Sequence, residues 1–112
     1  MAFQLMIVDD SAAMREFITR VILLSGLDVG MCIQASNGQE ALDLLRANWI
    51  DIILTDINMP VMNGEQFISY VKADEMLRSI PVLVVSTATW LTFSKPSNSR
   101  ALSLVLIIRS EK

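Results

Sequence analysis

The run from Phe3 to Val8 is almost wholly apolar and stops at Asp9 and Asp10, which predicts a short buried strand. Ser11 then stands where a helix N-cap belongs, and Met14, Phe17, Ile18, Val21 and Ile22 follow at i, i+3, i+4 spacing. Gly26 is placed to end that helix. A second strand is expected over Gly30–Ala35, then a turn with a cap-like Ser36 before the helical set Ala41, Leu44 and Leu45. Ile50–Thr55 predicts a third strand ending at Asp56. Met59–Gly64 reads as a loop, followed by an amphipathic helix carrying Phe67, Ile68 and Val71. Pro81–Val85 predicts a fourth strand ending at Ser86, with its proline at the first position, where a sheet tolerates it.

Strands this continuously apolar, alternating with helices, predict an α/β fold: a doubly wound parallel sheet covered on both faces. After Ser86 the pattern loosens. Thr87 to Arg100 shows no clear period, and Ala101–Ile108 suits either one more buried strand or a short apolar helix. The length of 112 residues allows one domain, and a composition 53% hydrophobic and 19% charged excludes disorder for the bulk. No apolar run approaches the roughly 18 residues of a membrane span, and no signal-peptide pattern opens the chain, so a soluble, cytoplasmic protein is expected.

Charge divides the chain in two. Residues 1–89 hold five Lys/Arg against eleven Asp/Glu, a net of −6, whereas residues 90–112 hold four against one, a net of +3. The four basic residues of that tail are dispersed, which argues against a nucleic-acid patch. The single Cys32 excludes an intramolecular disulfide and a cysteine-built metal site. The absence of histidine excludes Ser-His and Cys-His pairs and imidazole-ligated metals. Chemistry must therefore run on carboxylates, hydroxyls, amides and a few lysines.

In an open parallel sheet, functional groups gather at the carboxyl ends of the strands. Here those ends carry Asp9 and Asp10, Asp56, and Ser86. Singly, each has an ordinary structural reading as a helix cap, a turn residue or a solvated strand end. Together at matching strand ends they point to a site. Three clustered carboxylates repel one another unless a cation holds them, and an all-oxygen ligand set favours a hard ion such as Mg²⁺. Such an ion also admits an anionic phosphate.

These residues carry a family resemblance. Val8 to Ser11, Asp51 to Pro60 with Asn63 and Gly64, and Pro81 to Ser86 resemble the receiver domain of two-component response regulators, over about residues 3–89. The resemblance implies a flavodoxin-like receiver fold with strand order 2-1-3-4-5. It implies that Asp56 is the phosphoacceptor, served by a sensor histidine kinase, a phosphotransfer protein or a small phosphodonor. Asp9, Asp10 and Asp56 would hold Mg²⁺ with the Asn58 backbone carbonyl, and Ser86 would donate its hydroxyl to the phosphoryl group. In this family Asn58 and Ala88 would also tune hydrolysis of the aspartyl phosphate. A receiver is a phosphoacceptor with at most slow self-dephosphorylation, not an enzyme. Gly64 suits a backbone position that a side chain would obstruct.

The end of the chain departs from the pattern. A receiver's fifth strand ends in Lys-Pro, but Lys95-Pro96 lies only nine residues past Ser86, too few for a parallel crossover. If Leu102–Ile108 is the fifth strand, Arg109 or Lys112 would stand in for the lysine, and no residues would remain for a final helix. The expectation is one receiver domain over 1–112 with an atypical tail over 90–112. A reading frame shifted near Thr89 is favoured over a remodelled variant. Bare apolar surface would then favour a homodimer, paired or domain-swapped through 101–108. The alternative function is a non-switching assembly module acting through that association. A flavin binder is disfavoured because Asp9 and Asp10 would repel a cofactor phosphate. An aspartyl-nucleophile phosphatase is disfavoured because no carboxylate stands two residues past Asp56.

Overall fold

The computed structural model describes residues 2–85 and 104–105. Its elements are β1 (Phe3–Val8), α1 (Ala12–Leu24), β2 (Val29–Ala35), α2 (Gly38–Ala47), β3 (Ile52–Thr55), α3 (Gly64–Ala73), β4 (Val82–Val84) and β5 (Leu104–Val105). The five strands form one parallel sheet in the order β2-β1-β3-β4-β5, as the resemblance implied. In register, Val8 lies beside Ala35 and Thr55, and Thr55 lies beside Val84. The carboxyl ends of β1, β2, β3 and β4 are therefore level.

Successive strand residues face opposite sides, which is why the strands read as unbroken apolar runs rather than alternating ones. Met6, Val8, Ile53 and Val82 pack with Ala41, Leu42 and Leu45 of α2 and with Phe67 and Val71 of α3. Ile7, Leu54 and Val85 face the other way and pack with Ile18 of α1. On that second side Phe17, Val21 and Leu24 of α1, at i, i+4, i+7 spacing, are 51%, 43% and 87% exposed.

Ser11 caps α1 as expected, its hydroxyl accepting from the Met14 N–H at 3.1 Å. Gly26 lies just past the Ser25 C-cap with φ +86°, a left-handed conformation that glycine adopts without strain. The expected cap of α2 is corrected. Asn37, not Ser36, is the N-cap, with its Oδ1 accepting from the Glu40 N–H at 2.9 Å. Ser36 instead donates its N–H and hydroxyl to the Glu40 carboxylate at 2.7 and 2.8 Å.

The third strand starts at Ile52 rather than Ile50, because Asp51 uses its own carboxylate to accept the Gln4 N–H at 2.8 Å. Of Ala101–Ile108, which suited either a strand or a helix, Leu104 and Val105 form a strand paired to Leu83 and Val84. The connection from β4 to β5, residues 85–103, exceeds the dozen or so residues that a parallel crossover needs. Lys95 precedes β5 in the chain, so it does not follow that strand as the family's lysine would. Ser86, Ala88, Lys95, Arg109, Lys112 and, apart from Leu104 and Val105, the rest of the 90–112 tail and of its expected swap segment 101–108 lie outside the described residues.

Candidate functional site

The residue after each of three strands is pinned by its neighbour's last carbonyl. Asp9 N–H donates to Ala35 O at 3.0 Å, Asp56 N–H to Val8 O at 2.9 Å, and Val85 N–H to Thr55 O at 2.9 Å. The ladder therefore continues one step beyond the strands and fixes the backbone from which both aspartates project. One carboxylate oxygen from each of Asp9, Asp10 and Asp56 comes within 4.8 Å of the others. Asp9 is buried at 5% exposure, Asp56 is half-buried and Asp10 is exposed, so the cluster opens on one side.

Backbone amides orient the carboxylates. Ser11 N–H donates to Asp9 Oδ1 at 2.9 Å, and Ile57 N–H donates to Asp56 Oδ1 at 2.7 Å. Burial pushes the Asp9 carboxyl up to about 6; the Ser11 amide opposes this, while the Asp56 and Asp10 charges add to it. Burial likewise raises Asp56, opposed by the Ile57 amide, reinforced by Asp10 and opposed again by the Asn58 amide. The site thus holds more negative charge than its surroundings stabilise. Oxygen-only donors on three carboxylates fit a hard divalent cation such as Mg²⁺, which takes one or two carboxylates and keeps several waters.

The loop after Asp56 is built under strain. Met62 N–H donates to Pro60 O at 2.7 Å, closing a three-residue turn around Val61, whose φ of +69° is costly for a β-branched residue. Several groups hold it there. Gly38 N–H donates to Met62 O at 3.2 Å and Gly64 N–H to Ile57 O at 2.7 Å. Asn63 and Gln66 form a reciprocal capping box at the start of α3. Thr55, buried, donates its hydroxyl to Asp56 O at 3.0 Å.

Asp9, Asp10 and Asp56 therefore converge as the sequence suggested. Asn58 lies exposed two residues past Asp56, with its amide directed to that carboxylate. Two participants were missed: Thr55, and Arg15, whose guanidinium donates to the Asp9 carbonyl at 2.6 Å. A cation near a helix N-terminus opposes the macrodipole, and that mismatch was the available signal for Arg15.

The family model for the response regulator receiver domain matches residues 5–99. The chain is 36% identical over 85 residues to a chemotaxis protein CheY homolog of Campylobacter jejuni, covering 75% of this chain and 64% of that protein. It is 40% identical over 86 residues to a protein-glutamate methylesterase/protein-glutamine glutaminase of Bacillus licheniformis, covering 77% of this chain but only 23% of that protein. The chain thus spans less than two thirds of either relative. Among solved structures, the chemotaxis response regulator CheY4 of Vibrio cholerae superposes with a TM-score of 0.78 at 26% identity, covering 96% of this chain and 87% of that one. Among the described residues, no helix is long and apolar enough to cross a membrane.

Proposed function

The chain belongs to the response regulator receiver domain family of two-component signalling, and we propose that it accepts a phosphoryl group on Asp56 in an Mg²⁺-dependent reaction. The donor is a sensor histidine kinase or a phosphotransfer protein. The observation that carries this reading is the convergence of the Asp9, Asp10 and Asp56 carboxylates at level strand ends. As the Asp56 O–P bond forms, the bond from phosphorus to the donor's imidazole nitrogen breaks. Asp56 needs no general base, because a carboxylate is already the nucleophile; what the protein contributes is position and charge balance. Ile57 and Asn58 amides hold the Asp56 carboxylate. Asp9, Asp10 and Asp56 would hold Mg²⁺ with the Asn58 carbonyl, and Mg²⁺ when bound would offset the charge of the cluster so that an anionic phosphoryl group can approach. Ser86 would donate to the phosphoryl group after transfer.

The proposed unit is one cytoplasmic receiver domain over 1–112, with no enzymatic activity beyond slow loss of its own phosphate. Incubation with a small phosphodonor and Mg²⁺ is expected to label the protein, with label lost in Asp56→Asn and on chelation. Label that persists in Asp56→Asn would overturn the assignment. A homodimer is part of the proposal, and the exposed stripe of Phe17, Val21 and Leu24 supports self-association. Light scattering at high concentration is expected to give twice the chain mass, and a monomer would remove the dimer.

A further inference from the structure

Arg15 reaches back from the start of α1 to the loop that precedes it. Its Nη1 donates to the Asp9 carbonyl at 2.6 Å, and its Nε donates to Gln34 Oε1 on β2 at 2.8 Å. The Asp9 carbonyl lies two residues ahead of the Ser11 cap, where the helix supplies no donor; the Arg15 N–H itself bonds to Ser11 O. Asp9 is a buried residue and this bond is partly buried, where a carbonyl left without a partner is costly. Asp9 is therefore held at three points: its N–H by Ala35, its carboxylate by the Ser11 amide, and its carbonyl by Arg15. The third support alone is a long side chain, and it is braced on another strand.

We infer that Arg15 is a positioning residue for the cation site. Braced by Gln34, it fixes the Asp9 peptide so that the Asp9 and Asp10 carboxylates already face Asp56 before a cation arrives. This role rests on the Mg²⁺-dependent phosphoacceptor reading of the same site. It differs in sign from a purely electrostatic role. A guanidinium beside a cation site repels the cation, so removing it as a charge alone would tighten Mg²⁺ binding. Removing it as a brace must loosen Mg²⁺ binding, because supports behind metal ligands govern how well the ligands are preorganised.

The test is calorimetric titration of Mg²⁺ alone into the full chain. Arg15→Ala is expected to weaken Mg²⁺ binding about tenfold. Arg15→Lys keeps the charge but lacks the planar fork that spans both acceptors, so it is expected not to restore affinity. Gln34→Ala removes an exposed neutral side chain and is expected to weaken binding about threefold. Without metal, amide hydrogen exchange at Asp10 and Ser11 is expected to accelerate in Arg15→Ala. If that variant fails to fold, Gln34→Ala and Arg15→Lys decide the matter. Unchanged or tighter Mg²⁺ binding in the variants overturns the positioning role while leaving the phosphoacceptor reading intact. A wild type that binds no Mg²⁺ overturns both.

Discussion

Gly64→Ala is expected to destabilise the fold by about 3 kcal/mol and to slow phosphoryl labelling about a hundredfold. Gly64 is the buried first residue of α3, and its N–H donates to Ile57 O at 2.7 Å. A Cβ there would lie 2.7 Å from Ile57 Cα and 3.0 Å from the Asp56 carbonyl carbon, and closer still to the Asp56 carbonyl oxygen. These are backbone atoms that cannot rotate away. Relief requires moving either the Asp56–Ile57 peptide or the start of α3, and α3 is locked by fully buried Phe67 and by its capping box. The peptide that carries Asp56, the proposed phosphoacceptor, is therefore what yields. Gly38→Ala is the control: its Cβ would meet the flexible Met62 Cγ and Sδ at 2.8 and 2.9 Å, although Phe67 Cβ at 2.9 Å adds some cost. Urea unfolding and labelling rates of the two variants separate crowding of the core from displacement of Asp56. Wild-type labelling in Gly64→Ala would show that α3 does not set the position of Asp56.

The sheet and the convergence of Asp9, Asp10 and Asp56 were legible because both follow from period. Apolar runs that stop at acids mark strand ends, and parallel crossovers bring such ends to one edge. The strand order came with the family resemblance and not from the pattern. What period does not encode is a pairing between distant side chains. Arg15 falls between the apolar positions of α1, where spacing assigns it no partner, yet it bonds to Gln34, nineteen residues away on another element. Nor could adjacent acids be told apart: Asp9 turns inward against the Ser11 amide while Asp10 stays exposed. The α2 cap was misassigned between two neighbours that both favour the role. Ser36 lost it because its N–H and hydroxyl both serve Glu40, and that contact depends on how the chain enters the helix. Asp51 illustrates the same limit, since a carboxylate that substitutes for a ladder carbonyl shortens a strand whose apolar pattern runs longer.

Without Mg²⁺ the protein is expected to be less stable at neutral pH than at mildly acidic pH, and saturating Mg²⁺ is expected to reverse that order. Burial raises the Asp9 carboxyl from 3.8 to about 6 in the folded state. The folded protein therefore retains a proton that the unfolded chain has already released. The corresponding stability is full below the unfolded value and is lost as pH rises through about 6. Asp56, raised mainly by burial, acts with the same sign. Glu40 acts oppositely, since the Ser36 amide and hydroxyl hold its carboxyl below the ordinary value. A shift of this size corresponds at most to about 3 kcal/mol, roughly half of it already lost below pH 5; because the cluster also opens to solvent at Asp10, a loss on the order of 1 kcal/mol between about pH 5 and pH 7.5 is the better expectation. A bound divalent cation favours the ionised carboxylates, and at a hundred times its dissociation constant it adds about 2.7 kcal/mol to the folded state. Thermal unfolding at both pH values, with and without Mg²⁺, reads all of these quantities. Asp9→Asn removes the dominant titrating group, so the metal-free pH dependence should flatten and the metal-free protein should gain stability at neutral pH. The same variant should lose most of its Mg²⁺ stabilisation. A metal-free protein whose stability rises steadily from pH 5 to 7.5 would mean that the Asp9 carboxylate is already compensated, and the cluster would then have no unmet charge for a cation to answer.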